Sequence, residues 1–257
     1  MSQTTKRTLL FVCLTAFLLL AFPMLSANIT FAETSAGEAD QAFTEAQAAY
    51  DRGDYTSAFS KWRELGDRGN AQAQYHVGRM ILRAQGADYD TREATKWLER
   101  AAKGGFAPGQ IDLARLYSSG QGVLKDEKKA IFWYEAAVAQ GNTVAMLELA
   151  RIYRGKNGLR AHEEKATALV RSAAELGDVD AQFELGLHYS IGLGIEQDDY
   201  KSYVWQTIGA LKLSRSNFKE ALEKLRMRDA FARSLPFDRR QAAEAEALKW
   251  LNEHVSP

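Results

Sequence analysis

Four histidines, His76, His162, His188 and His254, are the side chains of this sequence best suited to proton transfer or metal ligation. A helical metal site needs two of them one turn apart, or one flanked by carboxylates in a ligand pattern, and no pair stands at i, i+4. Gly120-Gln121-Gly122 and Gly192-Leu193-Gly194 are G-x-G sequences. They lack the third glycine of a dinucleotide loop and the Lys-Ser/Thr ending of a phosphate loop. There is no G-x-S-x-G elbow and no paired carboxylate arrangement of the glycosidase kind. The sequence therefore points to no catalytic residue, metal or cofactor.

Charged residues do recur, at intervals of 36. One column reads His76, Asp112, Glu148, Glu184; a second, three residues on, reads Arg79, Arg115, Arg151, Leu187; a third reads Gln74, Gln110, Met146, Gln182. Alternating rows of acid and arginine can clamp an extended peptide through its backbone and charged side chains, since guanidinium pairs with carboxylate in bidentate fashion. The same spacing makes Asp112–Arg115 and Glu148–Arg151 ordinary i, i+3 helix pairs worth a few tenths of a kcal/mol. The two readings are compatible.

The elements that hold these columns follow the same period. Units run at about 71–106, 107–142, 143–178 and 179–214, with a worn unit at about 42–70 before them. The first segment of a unit is apolar at helical spacing, as in Ile111, Leu113, Ala114, Leu116 and Tyr117. A small residue recurs at Gly78, Ala114, Ala150 and Gly186, which lets two helices approach closely. The second segment carries a buried-face stripe: Ala94, Trp97, Leu98 and Ala101, then Ala130, Trp133, Tyr134 and Ala137. Glycine closes units at Gly69, Gly105, Gly141 and Gly177, where a helix C-cap adopts positive φ. In the worn unit Trp62 stands one place later than Trp97, Trp133 and Trp205 require. A fixed period in this range marks stacked helical hairpins, none of which can bury its apolar face alone.

With its L-A-R-L-Y, S-G-Q-G-V-L-K-D, K-A-I-F-W-Y-E-A-A and Q-G-N, the stretch from Ala107 to Asn142 resembles the Sel-one-like repeat (SLR) family. That family is a 36-residue relative of the tetratricopeptide repeat, and the resemblance covers roughly residues 70–214. It implies an all-α fold, a right-handed α-solenoid of antiparallel helix pairs whose first helices line the concave face. It also implies a scaffold or adaptor that binds a protein or peptide partner. On that implication Gln74, Arg79, Gln110, Asp112, Arg115, Glu148, Arg151, Gln182 and Glu184 are the candidate partner-binding residues. The rival functions are an exported hydrolase of β-lactamase type and a scaffold for polysaccharide export. Some cysteine-rich exported members carry the first, and this chain departs from them in its cysteine usage.

The ends complete the organisation. Lys6 and Arg7, then an apolar run from about Leu9 to Leu25 and a small-x-small site at Thr30-Phe31-Ala32, read as an export signal over 1–32. An uncleaved membrane anchor is the alternative, the run being long for a signal and short for a span. Cleavage removes Cys13, the only cysteine, so a mature chain in the periplasm or medium holds no disulfide or thiol. Residues 33–41 read as a polar linker, 42–217 as an array of about five units, and 218–257 as a helical cap. In the cap, Ala242, Ala245, Leu248 and Leu251 are expected to face inward. The mature chain is long enough for one continuous solenoid core. Lys plus Arg and Asp plus Glu number 33 each, and losing Lys6 and Arg7 leaves a mature net charge of −2. Arg226, Arg228, Arg233, Arg239 and Arg240 form the most basic stretch, read as a solvated face because acids are interleaved. With no aromatic interleaving, nothing supports a nucleic-acid partner.

Overall fold

The computed structural model describes residues 37–155, 160–214, 216–231 and 235–254, and every regular element among them is a helix. The export segment proposed over 1–32 lies outside the described residues. Helix α1 covers residues 37–51, so residues 37–41, expected as linker, already belong to a helix. It is followed by α2 (Tyr55–Asp67), α3 (Ala71–Leu82), α4 (Thr91–Lys103), α5 (Ala107–Ser119) and α6 (Glu127–Val138). Then come α7 (Thr143–Arg154), α8 (Arg160–Glu175), α9 (Val179–Ile191), α10 (Asp199–Ser214), α11 (Phe218–Phe231) and α12 (Phe237–His254). Consecutive helices pack as hairpins, giving an all-α solenoid architecture.

Most joints between hairpins use one device. At Gly141-Asn142 the Gly141 N–H donates to the Val138 carbonyl and the Asn142 N–H to the Ala137 carbonyl, closing α6. The Asn142 side chain then accepts from the Ala145 N–H at 3.0 Å, opening α7. Gly177-Asp178 repeats it, with Asp178 accepting from Ala181 N–H at 3.0 Å, and Gly69-Asn70 repeats it with Ala73 N–H at 2.8 Å. Each such side-chain cap contributes about 1 kcal/mol. At Gly105 the following residue is Phe106, which caps nothing with its side chain. The chain divides there into two compact units, at Gly104/Gly105.

The first unit buries Ala46, Ala49, Ala58, Trp62, Leu65, Val77, Met80, Ile81, Ala94 and Trp97 together. Trp62 keeps the period after all: with Leu98, Tyr134 and Val170 it forms a 36-spaced slot that is fully buried in each case. The slot one residue earlier is the edge of the helix face. Trp97 is buried there, whereas Trp133, Leu169 and Trp205 are only half-buried, so Trp133 is not the core residue its stripe suggested.

In the second unit α5 to α10 pack in sequence, and α11 and α12 both pack on α10. The small register works as expected: a Cβ added to Gly186 would lie 2.5 Å from Gln206 Cγ on α10. In the first unit a Cβ on Gly78 would lie 2.9 Å from Leu98 Cγ on α4. The cap is built one residue out of phase with expectation. Ala243 and Ala247 are fully buried, with Trp250 packed edge-on against Trp205 at 5.6 Å, whereas Ala242, Ala245 and Leu248 are exposed. Leu251 is half-buried on the inward side. The basic stretch is also not a uniform solvated face. Arg228 is buried over the Tyr203 ring at 4.1 Å and donates to Thr207 Oγ1 at 2.8 Å. Arg239 covers the Tyr200 ring, and Arg240 donates to the Leu235 carbonyl at 2.8 Å. Arg233 lies outside the described residues.

Candidate interaction surface

The first helix of each hairpin places the three 36-spaced columns, and the glutamine column comes out differently from the other two. Gln74, Gln110, Met146 and Gln182 are all buried. Gln74 Nε2 donates to the Gly66 carbonyl at 2.8 Å, and Gln182 Nε2 to the Ala174 carbonyl at 3.1 Å. Each amide thus adds a second donor to a carbonyl at the end of the preceding helix that the joint glycine already engages. Gln110 Oε1 accepts from Gln140 Nε2 at 2.8 Å. The glutamines hold hairpins together, and burial takes them off the surface a partner could touch.

In the second unit the acid and arginine columns meet in a ladder of ion pairs, one chain of four residues followed by a separate pair. Arg115 on α5 pairs with Asp112 at 3.3 Å in its own helix and reaches Glu148 on α7 with both Nε and Nη2, at 3.2 and 3.1 Å. The other oxygen of Glu148 accepts from Arg151 Nε and Nη2 at 3.1 and 2.8 Å. Burial pushes the Glu148 carboxyl up, but the hydrogen bonds and charges of Arg151 and then Arg115 outweigh it and hold it below the ordinary value. The next rung uses a residue the columns did not single out: Arg154, not Arg151, pairs with Glu184 on α9, at 2.6 Å. Arg154 stands one turn beyond Arg151, and that i, i+3 relation was the available signal. The i, i+3 pairs expected from the sequence form, and cross-helix pairs form beside them.

Three acids and three arginines make the ladder neutral. Each pair joins an exposed or half-exposed arginine to a half-buried carboxylate and is worth about 1 kcal/mol, so the ladder can be rearranged around a charged ligand at modest cost. Arg151 is 66% exposed, which leaves its guanidinium edge open to a partner. Leu187, at the arginine register of α9, is an exposed apolar residue.

In the first unit the same registers carry a different chemistry. His76 stacks on Trp62 at 4.2 Å between ring centres, and burial with the nearby Arg79 charge takes it down to about 4. Arg79 lies over the Tyr75 ring and donates to its hydroxyl at 3.2 Å. His188 is buried in the second unit, where its Nδ1 meets Thr167 Oγ1 at 2.8 Å. Because that hydroxyl already donates to the Leu193 carbonyl at 2.8 Å, Nδ1 carries the proton and donates to Thr167. Both histidines are packing residues. Among the described residues no group of three or more His, Cys, Asp or Glu could hold a metal ion.

Four segments match the Sel1 repeat, at 71–106, 107–142, 143–178 and 179–205, more than half of the chain. The chain belongs to the Sel1 repeat family. Its solved likenesses include a Sel1 repeat protein from Oxalobacter formigenes, 24% identical, covering 82% of this chain and 84% of that one at a TM-score of 0.60. A second is the protective antigen c5321 of uropathogenic Escherichia coli, described as having an SLR fold, 24% identical over 86% of this chain and 55% of that one, TM-score 0.48. A third is cysteine rich protein B of Helicobacter pylori, 17% identical over 42% of this chain and 92% of that one, TM-score 0.35. No curated protein matches the sequence. Sel1 repeats typically mediate protein interactions, and proteins built of them are generally non-catalytic scaffolds. Among the described residues no helix is long and apolar enough to cross a membrane.

Proposed function

We propose that this Sel1 repeat protein is an exported, non-enzymatic adaptor that binds a protein partner through the exposed charges of its first helices and serves a cell-envelope complex. The observation that carries this is the Asp112–Arg115–Glu148–Arg151 ladder, which continues in Arg154–Glu184. It lays bidentate-capable guanidinium groups and carboxylates across the first helices of three successive hairpins, α5, α7 and α9, at cross-helix distances of 2.6–3.2 Å. Its spacing suits an extended peptide with alternating charges, which would replace weak internal pairs by intermolecular ones. Export is supported by Lys6, Arg7 and the apolar run before Thr30-Phe31-Ala32, with the mature chain starting near Glu33.

The test is capture of partners from the protein's own envelope fraction by wild type and by the Arg115→Gln, Arg151→Gln double variant. The variant keeps the fold, because exposed changes usually cost under about 0.5 kcal/mol each. Its capture should fall at least about tenfold, equivalent to about 1.4 kcal/mol of binding. The control is Arg226→Gln on α11, an exposed residue of the cap. Loss of capture with the control and none with the double variant would move the binding surface to the cap.

A further inference from the structure

A cavity of about 370 Å³ opens in the second unit at the end of the ladder, between residues of α7, α9, α10 and α11. Three charged side chains line it: Arg154, Glu184 and Lys224. The Arg154 charge is spent on Glu184 Oε1 at 2.6 Å. The Lys224 ammonium lies over the Phe183 ring at 5.0 Å and pairs with no carboxylate among the described residues. One positive charge is therefore uncompensated. Beside it the wall is apolar: Phe183, Leu187 and Met227, with Leu187 44% and Met227 55% exposed. Large apolar side chains left open beside an unpaired charge, in a concavity of ligand size, are what an amphiphilic anion needs. Glu184 adds a third preference. Its Oε1 is buried and, beyond the ion pair to Arg154, accepts no aligned hydrogen bond from the described residues, so an N–H donor is wanted at this carboxylate.

We infer that this cavity takes the C-terminal residue of a partner polypeptide, with its free carboxylate on Lys224, its apolar side chain against Phe183, Leu187 and Met227, and its backbone N–H toward Glu184. A terminal apolar residue carries all three groups on one carbon, which suits a cavity of this size. A fatty acid offers the carboxylate and the tail but no N–H. An internal acidic side chain offers the carboxylate but no apolar group on the same residue. The inference rests on the reading of the chain as a protein-binding scaffold and names the feature by which a partner would be anchored.

The experiment uses three fluorescein-labelled hexapeptides titrated with the purified protein and followed by anisotropy. One ends in phenylalanine with a free carboxylate, one is its C-terminal amide, and one ends in serine with a free carboxylate. The first should bind at least about tenfold tighter than either of the others. Lys224→Gln should bring acid and amide within about twofold of each other while leaving the thermal melt unchanged. Leu187→Ala should weaken the phenylalanine peptide and leave the serine peptide where it was. Equal binding of acid and amide overturns the inference, as does no binding up to about 1 mM. Where no peptide binds but envelope capture still depends on Arg115 and Arg151, the cavity assignment alone falls. Loss of both removes the scaffold reading with it.

Discussion

Replacing Tyr134 by alanine should cost far more than replacing its neighbour Trp133, although tryptophan is the larger residue. Tyr134 occupies the slot shared with Trp62, Leu98 and Val170 and has no exposed surface. An aromatic side chain fully enclosed removes about 150–250 Å² from water, and truncating it leaves a cavity as well, so the cost is about 3–5 kcal/mol. Trp133 is half-buried at the helix edge, edge-on to Phe132 at 5.0 Å between ring centres, and Phe132 is itself 60% exposed. Truncation there loses only part of the burial and opens a notch that water fills, so about 1–2 kcal/mol is expected. Urea unfolding followed by far-UV circular dichroism compares the two variants with wild type. At a slope of about 2 kcal/mol/M, Tyr134→Ala should move the midpoint by about 2 M and Trp133→Ala by under about 1 M. A Trp133→Ala shift equal to or larger than that of Tyr134→Ala would refute the slot assignment, and with it the register of the repeats.

Three further outcomes follow from individual residues. Ala84 has φ +51 at the register where Gly120 and Gly192 sit, so Ala84→Gly should stabilise by about 1 kcal/mol; a lower melting temperature would contradict this. Gly186→Ala should destabilise by about 1–3 kcal/mol, because its Cβ meets the buried Gln206 side chain, and calorimetry showing no change would mean the α9–α10 approach is looser. His188 is held down to about 4 by burial, with the Arg154 charge adding, while Glu184 Oε1 at 3.7 Å is engaged by Arg154. Its folded pKa is below the unfolded value of 6.5, so the folded state binds fewer protons. Stability on the order of 3 kcal/mol is then present above about pH 6.5 and lost as pH falls toward 4. Melts across that window should show the loss, and His188→Gln should reduce it, leaving the part that His76 contributes over the same window.

The repeat architecture was legible because hydrophobic periodicity and the joint glycines are local signals that repeat. The closing glycines and the small register at Gly78 and Gly186 all lie where the 36-residue period puts them. What the sequence does not encode locally is which of two adjacent aromatic positions faces inward. Trp133 and Tyr134 are both apolar, and only the approach of neighbouring helices decides that Tyr134 is enclosed. The candidate surface shows the same limit. Gln74 and Gln182 look like surface polar residues, yet they are buried with their amides donating to carbonyls eight residues earlier, an arrangement set by how the two helices pack. Arg228 reads as part of a charged face until the Tyr203 ring and Thr207 hydroxyl come to meet it. Arg115 and Glu148 were visible in neighbouring columns, but their pairing and the switch from Arg151 to Arg154 at the next rung depend on side-chain reach across the hairpins.

The most direct test places a photo-crosslinking amino acid at position 151, on the charged face of α7, or at position 132, on the exposed edge of α6. Each protein is expressed in its native host and irradiated in intact cells. A defined crosslinked adduct is expected from position 151, absent when Arg115→Gln is introduced in the same chain, and none from position 132. An adduct from position 132 alone, or the same adduct at undiminished yield in the Arg115→Gln chain, would contradict binding through the first-helix ladder.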